Sequence, residues 1–173
     1  MKNRLLWLWP MLLLLLLSSC KFPPEYVSKA KIAEKIEEIM AIIQSGEKEQ
    51  LLGYFSEKVR NEHYDTLLSQ IDMMYTNIGG GITSYGKPEH CGYTYEFVEY
   101  GDIKLYESVP IVKDVQTKAG GVVEVVFCYT VIDDKEPENV GIRKIDICWQ
   151  QQDGTYGKAD IEIDGVIGKE SER

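Results

Sequence analysis

From Ser28 onward the apolar residues recur at three- and four-residue intervals, as Ile32, Ala33, Ile36, Ile39, Met40 and Ile43. That spacing gathers them on one side of a helix, and Ser28 is placed to cap it. Ser45-Gly46 stops the pattern. The following stretch, EKEQLLGYFSEKV, predicts a second helix burying Leu51, Leu52, Phe55 and Val59. A third, from about Asp65, sets Leu67, Leu68, Ile71, Met74 and Tyr75 on one side, and Gly79-Gly80-Gly81 breaks it. The stripes read as core rather than as a cofactor box.

After Ile82 the period changes to two. Strands are predicted at ITSY, YTYEFVEY, IKLYESVPIV, VVEVVFCYTVI, VGIRKIDICWQ and YGKADIEID, punctuated by turn signals such as Tyr100-Gly101-Asp102 and Ala119-Gly120-Gly121. Val123, Val125, Phe127, Tyr129 and Val131 share one face, and Ile145, Ile147 and Trp149 share one on a later strand. Slippage by one residue would bury the charges between them, so register moves by whole pleats. One allowed register sets Phe127 opposite Trp149, Tyr129 opposite Ile147, and Cys128 opposite Cys148, which would permit a disulfide. The last strand turns Ala159, Ile161 and Ile163 inward and Lys158, Asp160, Glu162 and Asp164 outward. Helices first and an antiparallel sheet afterwards make an α+β chain.

Three N-terminal helices covering the oily face of a long curved antiparallel sheet resemble the nuclear-transport-factor-2-like (cystatin-like) cone. The turn Ser45-Gly46-Glu47 followed by LLGYFSEKV is similar to a helix-to-helix passage common in that superfamily. ITSYG, VQTKAGGVVEVVFCYTVID and ENVGIRKIDI resemble a family of uncharacterised lipoproteins of Gram-positive bacteria assigned to that fold. The resemblance covers about Ala30 to Gly165. It implies fold and location, and carries over no site residue except the lipidated cysteine.

The N-terminus bears on location independently. MKNR is followed by an apolar run from Leu5 to Leu17. As a helix, that run reaches roughly 20 Å, short of the roughly 30 Å of a bilayer core. A charged start, a short apolar run and small residues describe a secretory signal. Leu17-Ser18-Ser19-Cys20 resembles the bacterial lipobox, in which the cysteine sulfur receives a diacylglyceryl group and the signal is cut before it. Two acyl chains hold a protein stably to a membrane. The expected organisation is a lipoprotein signal peptide over 1–19 and a lipidated cysteine with a short tether over 20–28. A single α+β domain over 29–168 and a polar tail over 169–173 complete it. The expected location is the extracytoplasmic side of the cell membrane.

Charge narrows the partners. The 173 residues carry a net charge of −9, and losing Lys2 and Arg4 with the signal takes it to −11. Phosphate backbones and anionic headgroups repel such a chain, which argues against nucleic acid and broad electrostatic membrane contact. Beyond Cys20 the cysteines are Cys91, Cys128 and Cys148, an odd count. There is no C-x-x-C, and the only histidines are His63 and His90, so no metal set is expected.

Catalytic constellations are weak. Asp160-Ile161-Glu162-Ile163-Asp164-Gly165 does not complete a calcium loop, because the twelfth position falls on Ser171. Glu107 is the one acid in phase with Ile103, Leu105, Val109 and Ile111, unless Pro110 shifts that phase. His63 lies at a helix junction, and His90 and Cys91, as neighbours in a strand, point apart. Eleven tyrosines, with Tyr85, Tyr93, Tyr95, Tyr100 and Tyr106 around the first strands, suit half-wet surfaces. Phe127, Tyr129 and Trp149 are the candidate pocket residues if a ligand is held between helices and sheet.

No catalytic residue or cofactor is expected. The expected role is non-enzymatic, the binding of a small ligand or an envelope protein partner. The alternatives are a small cavity enzyme using Glu107 or a tyrosine, and a domain that self-associates, as a homodimer, through its outer sheet face.

Overall fold

The computed structural model describes residues 29–89, 95–100 and 102–165. Three helices come first: α1 (Lys29–Ser45), α2 (Lys48–Tyr54) and α3 (Glu57–Asn77). Ile32, Ile36, Ile39, Met40 and Ile43 are the buried stripe of α1. The second helix is shorter than its pattern predicts. It ends at Tyr54, and Phe55 turns to extended backbone at φ −68° and ψ 148°. Ser56 then caps α3, its hydroxyl accepting from the Val59 N–H at 3.3 Å. The predicted junction near His63 is a kink inside α3, where φ is −137° and ψ 26°.

Seven strands follow: β1 (Ile82–Ser84), β2 (Tyr95–Glu99), β3 (Asp102–Ser108), β4 (Ile111–Thr117), β5 (Val122–Asp133), β6 (Gly141–Trp149) and β7 (Ile161–Ile163). They form one antiparallel sheet built around β5. Along one edge β5 pairs with β4 at its start and β3 at its end, and β6 lines its other edge. β1 extends β4, β2 extends β3, and β7 extends β6. The α+β order expected from the sequence is the one observed, three N-terminal helices packed on an antiparallel sheet, and that sheet is open rather than closed or strongly curled.

The expected single strand IKLYESVPIV is two strands. The Pro110 carbonyl accepts the Phe127 N–H at 2.9 Å, which keeps β5 attached across the break. Proline has no N–H to give a ladder, which suits this interruption. The phase also differs from expectation. Tyr106, Ser108, Pro110 and Val112 are the buried set, and Asp114, at φ +55°, inserts a bulge that hands the inner face to Val115 and Thr117.

The dry core lies between the helices and one sheet face. Phe127, Val112, Val115, Val123, Ile145 and Ile163 meet Ile36, Ile39, Met40, Leu51, Leu67, Ile71 and Met74, all fully buried. Two glycines allow close contacts there. A Cβ on Gly141, at φ +129°, would stand 2.9 Å from the Ser56 nitrogen, so only glycine lets β6 meet the α2–α3 junction. The Ser56 N–H donates to the Ile142 carbonyl at 2.9 Å there. At Gly121 a Cβ would stand 2.2 Å from the Trp149 ring.

Candidate functional site

The three predicted pocket residues sit in three different settings. Phe127 is fully buried core. Trp149 is half-buried, its ring lying over Gly121. Tyr129 is half-buried beside Lys35, Glu38 and Tyr54, and burial pushes its hydroxyl pKa up. Lys35 bonds Glu38 at 2.7 Å and lies 5.1 Å over the Tyr54 ring. This cluster closes the rim of the core with an exposed ion pair.

The β5–β6 register corrects the predicted one by two pleats. Phe127 faces Ile145, Cys128 faces Lys144, and Cys148 faces Glu124. Four residues along a strand separate the cysteines by roughly 13 Å, beyond disulfide reach. Both are free thiols, and no Cys128–Cys148 bridge forms. The physical reason is at the strand's end: Trp149 must lie against Gly121, which places it opposite Val123 rather than Phe127. Burial raises both thiol pKa values, that of Cys148 to about 11, so both stay protonated at neutral pH.

Glu107 belongs to the outer face. Its carboxylate pairs with Arg143 at 2.8 Å, and the inward positions flanking it are Tyr106 and Ser108. The predicted in-phase acid therefore faces away from the helices. On the same outer face Lys144 pairs with Asp146 at 3.0 Å and Glu162 at 3.4 Å. Burial raises the Asp146 pKa, with Lys144 opposing it. Opposite charges alternate along this face. His63 packs against Gly165, where a Cβ would meet it at 2.5 Å, as a structural contact at the α3 kink. Cys20, His90, Cys91 and Tyr93 lie outside the described residues. Among the described residues, no cluster of three or more His, Cys, Asp or Glu is placed to hold a metal. No described helix is long and apolar enough to cross a membrane.

The surface with unspent contact capacity is the β2–β3 hairpin. Among the described residues, β2 pairs with β3 alone, from Tyr95 opposite Glu107 to Glu99 opposite Asp102. Tyr100, at φ +51°, turns the chain and is 99% exposed. Phe97 and Val98 are 40% and 49% exposed. A shallow groove of about 210 Å³ is lined by Phe97, Lys104, Leu105, Asp133 and Lys135. Lys135 lies 5.8 Å over the Phe97 ring, and Lys104 pairs with Asp134 at 3.0 Å, which raises its pKa.

The groove's floor is fixed by Asp133. Its carboxylate accepts from the Asn139 side chain at 2.8 Å and from the Glu136 and Lys135 N–H groups at 3.0 and 3.2 Å. The Asn139 bond, with those backbone donors, lowers its pKa. Sequence reasoning pointed to this region through Tyr100 but missed Phe97, Val98, Lys104 and Lys135. A signal was present. Phe97 and Val98 are consecutive in a strand, so one of them faces away from the core whichever face is buried. Tyr106, by contrast, is buried and Tyr85 half-buried.

No curated protein matches the chain. A family model does, over residues 38–152, from the middle of α1 to just past β6, and so across the whole β2–β3 hairpin. The chain belongs to that family, described as a domain of unknown function (DUF5104).

Proposed function

We propose that this chain is a lipid-anchored domain on the outer side of a cytoplasmic membrane that works by binding a protein partner. The observation carrying the partner-binding part is the clustering of exposed Phe97, Val98 and Tyr100 at one end of the sheet. Clustered apolar exposure of this kind marks interaction surfaces. The fully buried Phe127 argues against a ligand chamber under the helices, and the Glu107–Arg143 pair on the outer face argues against a cavity acid. Cys20, after its short apolar run, supports the anchor. Helices ahead of an antiparallel sheet, covering one of its faces, support placing the domain with nuclear-transport-factor-2-like folds in an open form.

The occupant is an extended segment of an envelope protein, laid along β2 as an added strand. Glu96, Glu99 and Asp102 give this end a negative balance, because Lys104 is matched by Asp134. The added segment therefore carries Lys or Arg among apolar side chains. A photo-reactive residue at Val98, in the full chain within its producing cell, should form an adduct with such a segment. The same label at exposed Glu49 should not, and Tyr100→Asp should abolish the Val98 adduct. Adducts with a second copy of the chain would replace this reading with self-association. Equal labelling at Val98 and Glu49 would sink both. Cys20→Ala should lose membrane retention, and a protein still sedimenting with membranes would refute the anchor.

A further inference from the structure

At the start of α1 a second groove, of about 270 Å³, has walls of Ala30, Ile32 and Ala33 on one side and Pro88 and Pro110 on the other. We infer that this groove is the seat of the chain's own tether, filled by the side chains of Tyr26 and Val27. The tether then meets the domain at a fixed point rather than as a loose leash.

The size of the groove comes first. Pockets for free small ligands run from about 300 to 1,000 Å³ and are lined by convergent polar groups. This one falls below that range, with apolar walls and, among the described residues, Lys29 and Glu89 as its charged lining. It suits a pair of apolar side chains.

The local chemistry selects which ones. An apolar residue just before a helix cap characteristically packs on the fourth residue inside the helix. With Ser28 as the cap that the sequence predicts and Lys29 as the first described helical residue, those positions are Val27 and Ile32. Ile32 is a wall of the groove. Reach permits the contact, since two residues of extended chain span roughly 7 Å. Tyr26 brings an aromatic body with a polar tip, which fits a groove with an apolar floor and a charged rim.

The opposite wall is ready to receive them. The Glu89 N–H donates to the Ile111 carbonyl at 2.7 Å, and the Ile111 N–H to the Glu89 carbonyl at 2.9 Å. The Gly86 N–H reaches the Lys113 carbonyl at 3.1 Å, and Lys113 pairs with Glu89 at 3.1 Å. These bonds tie the Pro88 segment to β4, so seating two side chains costs little further ordering of the domain. If the anchor reading holds, the free tether shrinks to residues 21–25, roughly 15 Å of Pro-rich chain. That consequence rests on lipidation. The seating does not.

The test is chymotryptic cleavage after Tyr26 in the full mature chain, made both as the lipoprotein and with Cys20→Ala. Seating predicts slow cleavage in both forms. Val27→Asp sets an acid against Glu89 and leaves the folded core untouched. Ala33→Arg fills the groove from the helix side. Each should speed cleavage tenfold or more. A photo-reactive residue at Val27 should mark the Pro88 or Pro110 peptides of the same chain. Parent and variants cut at equal rates, or an adduct made only with a second copy, would overturn the seating. Protection that persists while Cys20→Ala still stays on membranes would refute the anchor alone.

Discussion

The middle and the end of the sheet are built from the same alternating chemistry and have opposite fates. On β5, Val123, Val125 and Phe127 point at the helices and are sealed. Their outer-face neighbours Glu124 and Cys128 stay half-buried. On β2, Phe97 and Val98 occupy opposite faces and both reach solvent, because none of the described helices covers this end. Side-chain type does not separate the two regions; coverage does. Apolar surface in the middle contributes to holding the fold, whereas at the end it is left over for contact.

Removing side chains sharpens this contrast. Phe127→Ala should have the largest effect, a loss of about 3–5 kcal/mol in urea unfolding, since it opens a cavity in a sealed core. A loss under about 1 kcal/mol would mean that the middle is not close-packed.

An alkaline test comes next. Burial, with help from Glu47, raises the Tyr75 hydroxyl from 10.0 to about 12. The folded state then holds this proton more tightly than the unfolded chain does. Its contribution is complete below pH 10 and disappears as pH rises towards 12, roughly 2–3 kcal/mol in all. Tyr75→Phe should flatten the stability profile between pH 10 and 12. The loss that begins near pH 9, from Cys148 with its pKa of about 11, should remain. An unchanged slope in Tyr75→Phe would show that the hydroxyl is not buried in solution.

The smallest stability effect should be at the other end. Phe97→Asp should shift unfolding by less than about 0.5 kcal/mol, as substitutions at exposed sites usually do, while removing the Val98 adduct. A loss of 2 kcal/mol or more would make Phe97 part of the core and erase the distinction.

The stripe of α1, the inner set of β5 and β6 and the outward charges of β7 were legible because burial imposes a period on the sequence. Two features were not. Alternation defines register only to a multiple of two residues, so Phe127 opposite Trp149 and Phe127 opposite Ile145 satisfy it equally. What decides between them is Gly121, distant in sequence, whose missing Cβ admits the Trp149 ring. Glu107 was assigned to the buried phase because Leu105, Val109 and Ile111, which alternate with it, are apolar, although the buried set is the opposite one, Tyr106, Ser108, Pro110 and Val112. At the candidate site the residues were legible and their exposure was not. Exposure depends on where the helices end, which no residue of β2 records.

β5 has a further consequence, for the order in which the molecule can come into being. It is the strand on which β3, β4 and β6 all depend, and it begins at Val122, well after the last residue of α3, Asn77. A growing chain therefore exposes the apolar stripes of all three helices well before their partner surface is made. Pairings this distant in sequence are slow to form, and half-made chains with bare apolar faces aggregate. The stretch of synthesis between Asn77 and Asp133 is the protein's vulnerable period, and assistance from a chaperone would matter most there.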